Sequence, residues 1–187
     1  MKRILSFLIL FMSLTASNVV FADASLIEDM EYIVSRYPYI ENDGVIYILR
    51  KHSHSDRVVY TEKEKRIATK LITDVAVDCM KYNYLNDKEN RAVNKGQIKF
   101  TADLLRDDRH GDTFKGGESA KLAITSFLLS KYRGLSGEEL KNNFREEYGF
   151  ELGKFDMSSV IGKESIKNEY CQNNKKIMDQ KLSDLVN

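Results

Sequence analysis

The sequence predicts a mainly α-helical protein, organised as a single-domain bundle of about six helices. Three observations indicate this class. Apolar residues recur at spacings of three and four along most of the chain, which is the period of an amphipathic helix. Only one proline, a residue that interrupts helices, occurs in 187 residues. Hydrophobic residues make up 42% and charged residues 30% of the chain, values typical of a globular protein.

The first 22 residues have the pattern of a secretory signal peptide. Residues 1–3 are a basic start, residues 4–14 are almost wholly apolar, and Val20-Phe21-Ala22 precedes Asp23. An apolar run of about 11 residues is too short to cross a ~30 Å bilayer core as a helix. We therefore divide the chain into a signal peptide at 1–22 and one helical domain at 23–187. The product is expected to be periplasmic or secreted, with no stable membrane anchor after cleavage.

The net charge and the two cysteines predict which partners and which disulfide the protein has. Without residues 1–22 the chain has 27 basic and 28 acidic residues, a net charge of −1. Nucleic-acid binders usually carry a basic face, so a nucleic-acid partner is not expected. Cys79 and Cys171 are the two cysteines, and an even count in an oxidising compartment favours a disulfide between them. Two buried free thiols are the alternative.

The helices in the first half of the chain are predicted from apolar stripes and their ends. A stripe from Leu26 to Tyr37 predicts the first helix, and Pro38 ends it. Thr61 and Glu64 form a capping box before a long helix near 62–84, in which Cys79 lies on the apolar face.

Further helices are predicted near 88–106, 117–133 and 165–185. Within 88–106, Gly96 is expected to weaken the helix by about 1 kcal/mol relative to alanine. A shorter helix begins after Ser136, which forms a second predicted capping box with Glu139.

One region is compatible with a small β-hairpin, near residues 45–60. Residues 44–49 and 57–60 are β-branched or aromatic and flank a polar turn. His52 and His54 would lie in that turn. Neutral imidazoles are zinc and copper ligands, but only His110 remains as a further histidine and nothing positions it. We therefore predict no metal and no cofactor, and interpret the pair as part of a solvated turn.

The connection between the helices near 88–106 and 117–133 is the candidate binding segment. It contains Arg109, His110, Asp112 and Phe114. The Arg109-His110-Gly111 run is similar to the Arg-His-Gly box of histidine phosphatases. That box directly follows an apolar strand, whereas a polar connection after a helix precedes this one. The connection is longer than the usual 2–8 residues, and long loops on rigid scaffolds often carry function. We predict no catalytic residues, and these four side chains are the tentative binding set.

The arrangement of these features resembles one family. A signal peptide, a small helical domain, a cysteine in an early long helix and another at the start of the last helix are similar to periplasmic immunity proteins. Those proteins block toxic amidases delivered by type VI secretion. Segment 170–179 loosely resembles the terminal cysteine helix of that group, and the likeness extends from Lys65 onward. It implies a non-enzymatic protein whose partner is another protein.

Three functions are compatible with the sequence. The first is an exported binding protein of the inhibitor or immunity type, acting on a secreted toxin. The second is a small periplasmic hydrolase that uses His110 or a His52/His54 metal site. The third is a structural or envelope-stress helical protein. The absence of a catalytic motif favours the first.

We predict that export removes residues 1–22. The mature product should begin at Asp23, because the apolar run and the Val20-Phe21-Ala22 tripeptide define a cleavage site after Ala22. Intact-mass analysis of the exported protein measures this directly. Recovery of only the full-length chain, in the cytoplasm, would contradict the prediction.

Overall fold

The structure is a computed structural model that describes residues 24–37, 40–55, 58–107, 118–155 and 168–187. It confirms the mainly α-helical class. The predicted signal peptide at 1–22 lies outside the described residues. The described residues hold seven α-helices and a short 3-10 helix: α1 (24–35), α2 (Asn42–His52), α3 (Glu62–Asn86), α4 (Arg91–Arg106), α5 (Glu118–Lys131), α6 (Gly137–Tyr148), the 3-10 helix (Leu152–Lys154) and α7 (Glu169–Val186).

Helix α2 replaces the β-hairpin that the sequence allowed near residues 45–60, so that expectation is wrong. Val45 and Leu49 are spaced by four, and both are buried against α3 and α7. Burial of this helical face outweighs the β propensity of the branched side chains, because that propensity depends on context. Residues 58–60 form no regular structure, although Tyr60 is buried in the same cluster.

Three buried apolar clusters hold the helices together, and α3 and α4 each contribute to two of them. One cluster joins α1 to α3 and α4 through Leu26, Met30, Ile33, Val34, Val77, Met80, Ile98 and Ala102. Another joins α4, α5 and α6 through Phe100, Leu104, Phe127, Leu128, Tyr132, Phe144, Tyr148 and Phe150. The last joins α2, the first half of α3 and α7 through Val45, Leu49, Tyr60, Ala68, Ile72 and Leu182.

Helices α3 and α7 pack side by side, as expected from the two cysteines. Cys79 and Cys171 form a disulfide with their Cα atoms 5.4 Å apart, and both are buried. The ring of Tyr82 stacks on that of Tyr170 at a centroid distance of 4.4 Å. One turn away, the Asn168 side chain donates to Asn83 Oδ1 at 2.7 Å and accepts from the backbone N–H of Cys171 at 2.8 Å. Covalent and non-covalent contacts therefore fix the same junction.

The capping boxes predicted before α3 and α6 have different outcomes. At the start of α3, Thr61 Oγ1 accepts from Glu64 N–H while the Glu64 carboxylate accepts from Thr61 N–H, which confirms the first box. Ser136 precedes α6 as predicted, but its side chain makes no capping hydrogen bond; its backbone carbonyl accepts from Glu139 N–H at 3.2 Å instead. The residue pattern therefore predicted where α6 begins, but not the hydrogen bonding of the Ser136 side chain.

Gly96 is required by packing. It is buried in α4, where a Cβ atom would overlap the backbone carbonyl oxygen of Tyr148 and lie 3.1 Å from the Phe150 ring. The missing side chain lets α4 approach the C-terminal end of α6 closely. Helix propensity alone favours alanine over glycine at this position. The contact with Tyr148 makes glycine the more stable residue in the whole protein.

We predict that Gly96→Ala destabilises the protein by about 1–3 kcal/mol, the usual cost of overpacking a core. Helix propensity alone would give a gain of about 1 kcal/mol, so the sign of the change separates the two effects. Urea unfolding of the mature protein measures it. Gly153→Ala is the matched control, because no atom lies within 4 Å of a Cβ there. Equal stability of both variants and the wild type would show that α4 and α6 are not in close contact.

Candidate functional site

The tentative binding residues Arg109, His110, Asp112 and Phe114 lie outside the described residues. The helices on either side of their segment are described. Asp107 caps the C-terminal end of α4, with its backbone N–H bonded to the Asp103 carbonyl at 3.2 Å. Helix α4 contacts α5 beside this segment.

An open cleft lies between the end of α4 and the last turns of α5. Its volume is about 380 Å³, within the range of ~300–1,000 Å³ found for ligand-binding pockets. Among the described residues, those that line it are Asp103, Arg106, Asp107, Phe127, Ser130 and Lys131. On α4 the three polar residues follow an i, i+3, i+4 spacing, which places them on one side of the helix. The cleft therefore combines both signs of charge with an aromatic side chain.

Lys131 is the centre of a hydrogen-bonded network at this cleft. Its ammonium lies 2.7 Å from Glu147 Oε1 and donates to the Tyr148 hydroxyl at 2.8 Å. The Tyr148 hydroxyl in turn donates to Asp103 Oδ2 at 3.0 Å, and the Tyr132 hydroxyl donates to Glu147 Oε2 at 2.8 Å. The network joins α4, α5 and α6 through polar contacts at the edge of their shared apolar cluster.

The acid–base properties of this network follow from its burial and its charges. Burial, followed by the charge of Asp103, raises the pKa of Tyr148; burial and the hydrogen bond to Glu147 raise the pKa of Tyr132. Burial would also raise the pKa of Glu147, but hydrogen bonds from Lys131 and Tyr132 outweigh it and hold that pKa below its ordinary value. Glu147 therefore stabilises the fold at neutral pH, and this contribution is lost as the pH falls through its lowered pKa.

Arg106 connects the cleft to α1. Its guanidinium lies 2.7 Å from Asp29 Oδ1 and 3.6 Å from Asp103 Oδ1, and it covers the Tyr32 ring at 4.8 Å from the centroid. Asp29 is buried, and burial raises the pKa of its carboxyl although the hydrogen bond and charge of Arg106 oppose that shift. The pairing leaves Arg106 partly exposed on the cleft side and held by α1 on the other.

Helix α5 presents apolar side chains on two sides. Phe127 and Leu128 are buried in the core, whereas Leu122 and Leu129 are 66% and 63% exposed. The two leucines are seven residues apart, which places them two turns apart on the same side of the helix. Phe127 and Lys131 of the cleft are each two residues from Leu129, about 200° around the helix, so the exposed leucines lie on another side of α5 from the cleft.

His52 and His54, the two histidines considered as metal ligands, each contact a residue in the C-terminal part of the chain. His52 Nε2 lies 3.4 Å from Asp179 Oδ1, and His54 Nδ1 is hydrogen-bonded to Asn187 Oδ1. Among the described residues, no three histidine, cysteine or acidic side chains are grouped closely enough to hold a metal ion. His110 lies outside those residues.

No local sequence pattern identified the cleft residues. The sequence around them has the pattern of an ordinary amphipathic helix, and Asp103 contacts Tyr148, which is 45 positions away in sequence. Leu122 and Leu129 were not selected either, although their spacing predicts a second apolar side on α5.

Comparison with known proteins gives no relative: no family model matches the chain, and neither a curated protein nor a solved structure matches it. Within the described part of the chain, no helix combines the length and apolar character needed to span a membrane.

We predict that Lys131→Met destabilises the protein by about 1–2 kcal/mol at pH 7, because hydrogen bonds to charged groups usually contribute ~1.5–3 kcal/mol and Lys131 is partly exposed. Methionine keeps most of the apolar stem while leaving Asp103 and Glu147 without their shared cation. The difference should shrink on acidification below pH 4.5, the ordinary carboxyl value, as Glu147 becomes protonated. Urea unfolding at pH 7 and pH 3 measures both effects.

Lys141→Met is the matched control. Lys141 pairs with Glu138 only on the exposed side of α6, and such surface pairs contribute little. A Lys131 variant as stable as this control at pH 7 would show that the network does not hold the three helices together.

Proposed function

We propose that the chain is an exported, non-enzymatic binding protein whose partner is another protein. Two features support export to the periplasm or beyond. The first 22 residues have the order of a signal peptide, and the Cys79–Cys171 disulfide is compatible with an oxidising compartment. The net charge of −1 after removal of residues 1–22 argues against a nucleic-acid partner.

The observation that carries the binding proposal is the exposed side of α5. Leu122 and Leu129 are mostly exposed, although α5 is anchored through Phe127 and Leu128 in the aromatic cluster. Apolar residues on a firmly packed helix lose little conformational entropy when a partner covers them. We propose that this exposed apolar side of α5 is the binding surface.

The finer proposal is an inhibitor or immunity protein that acts on a secreted toxin. It depends on the resemblance of the cysteine-helix arrangement to periplasmic immunity proteins and on the proposed export. Such a protein needs only a surface complementary to its target, which agrees with a binding surface built on packed helices.

The experiment is a capture comparison. We expect mature protein, immobilised through a tag before Asp23, to retain a partner from the exported proteins of the producing cells. Leu122→Ser combined with Leu129→Ser should lower the affinity at least tenfold, because fully burying a leucine side chain contributes about 1.5–3 kcal/mol and ~1.4 kcal/mol is a factor of ten. Folding should be unchanged, since exposed substitutions usually shift stability by less than ~0.5 kcal/mol.

Leu85→Ser is the matched control, because Leu85 is 56% exposed on α3, away from α5. If the control and the double variant lose the partner equally, or neither does, α5 is not the binding surface. For the inhibitor proposal, the captured protein should lose its own activity in proportion to the amount of added mature protein. An active, fully bound partner would contradict that part alone.

A further inference from the structure

We propose that the partner protein covers the exposed side of α5 with apolar residues and places a carboxylate against Arg133. This inference rests on the proposed function and names the chemistry of the contact. It follows from the position of Arg133 beside the two exposed leucines, from the lack of a partner for its side chain, and from the charges along this part of the sequence.

Arg133 lies about one turn beyond Leu129, at the C-terminal end of α5. The backbone N–H of Tyr132 bonds to the Leu128 carbonyl at 2.9 Å, so helical hydrogen bonding reaches Tyr132. Gly134 follows with a φ of +85°, the left-handed conformation that commonly ends a helix. Because residues spaced by four lie on the same side of a helix, Arg133 continues the line of the exposed leucines.

The residues between the two leucines are uncharged. Thr125 and Ser126 lie on either side of the line from Leu122 to Leu129. The Thr125 hydroxyl donates to the Lys121 carbonyl at 2.9 Å, so its hydrogen bond is made within α5. A partner can therefore cover the leucines without removing a charge between them from water, which would be costly.

The charges along this part of the chain are all positive. Residues 119–137 contain no aspartate or glutamate, and their cations are Lys121, Lys131 and Arg133. Lys131 is paired with Glu147 at 2.7 Å, and Lys121 has an interaction of its own. Arg133 is exposed, and the described residues supply no hydrogen bond or ion pair to its side chain. An uncompensated positive charge therefore lies next to the leucines.

A carboxylate is the group that this charge selects. A guanidinium presents a planar fork of N–H donors that matches a carboxylate in two parallel hydrogen bonds. A partner cation at the same place would be repelled. Four residues of helix correspond to about 6 Å along its axis. The expected partner surface is therefore apolar opposite Leu122 and Leu129, with an aspartate or glutamate about one turn further along.

An anionic lipid surface has the same sign of charge but suits α5 less well. Stable binding of a helix to a membrane surface needs a large apolar face and several basic residues. The described part of this side of α5 offers two exposed leucines and one uncompensated arginine. We therefore commit to a protein partner, and lipid vesicles serve as one arm of the test.

The test is an NMR titration of ¹⁵N-labelled mature protein with two synthetic amphipathic peptides. Both have leucines at the same positions, and the flanking residues are glutamates in one and lysines in the other. We expect amide shifts at Leu122, Leu129 and Arg133. The glutamate peptide should bind about threefold to fivefold more tightly, the size of a favourable exposed ion pair. Added salt should reduce the difference, because it screens exposed charges.

Arg133→Gln should remove the preference for the glutamate peptide and leave the circular dichroism spectrum unchanged, because the side chain is exposed. Arg50→Gln is the matched control: Arg50 is exposed on α2, and this variant should keep the preference. Equal affinity of the wild type for both peptides, or a preference that survives Arg133→Gln, would overturn the inference.

Vesicles of phosphatidylglycerol and phosphatidylcholine form the third arm. We expect no shift of the α5 amides with them. Tighter binding to these vesicles than to either peptide, through Leu122, Leu129 and Arg133, would replace the acidic protein surface by a lipid one and overturn the inference.

The two proposals fail separately. Leu122→Ser combined with Leu129→Ser should weaken both peptides equally, because the apolar contact does not depend on charge. If this variant loses both peptides and the wild type shows no preference for glutamate, α5 remains the binding surface and the acidic partner is removed. If the variant binds both peptides as the wild type does, the exposed side of α5 is not the binding surface.

Discussion

The disulfide between α3 and α7 is the constraint on which the remaining helices depend. Its cysteines are 92 residues apart, and α4, α5 and α6 all lie within that span. Cross-linking so long a loop restricts the unfolded chain, with typical gains of ~2–4 kcal/mol. The stacked tyrosines Tyr82 and Tyr170 and the Asn83–Asn168 contact align the same two helices. These non-covalent contacts place the sulfurs together, so the bond reinforces a junction that the side chains already favour.

Helix α4 connects the helix pair α3 and α7 to the cleft through its packing. One side of it packs with α1 and α3, and the other side inserts Phe100 into the aromatic cluster. Phe100 is fully buried and meets the edges or faces of several rings at centroid distances of 4.7–6.1 Å: Phe127, Phe144, Tyr148, Phe150 and Phe155. Because Phe127 and Tyr148 come from α5 and α6, this one side chain fixes the angle at which both helices meet α4. The distance between Asp103 and Lys131 is set by apolar packing beneath them.

Helix period and capping residues predicted most of the fold because they act within a few residues. The start of α3 agrees to the residue, since Thr61 and Glu64 form their predicted reciprocal bonds. The possible β-hairpin near residues 45–60 was wrong because β-branched side chains suit both a strand and a buried helical face, and only contact with α3 and α7 decides between them. The role of Gly96 could not be predicted either, because the Tyr148 carbonyl that excludes a side chain there is 52 positions away in sequence. The cleft has the same origin: its ion pairs join helices whose approach no local pattern specifies.

The titration behaviour of the network agrees with the binding role that we propose. A general acid or base works best with a pKa near the working pH. The pKa values of Tyr132 and Tyr148 move upward, and that of Glu147 moves downward, so all three move away from neutrality. Lys131 is held by the same groups and lacks the freedom of a nucleophile awaiting a substrate. At neutral pH, Tyr132, Tyr148 and Glu147 therefore keep their ordinary protonation states. Fixed charges of that kind give an interface selectivity more than affinity, which agrees with the proposal that the affinity comes from the exposed apolar side of α5.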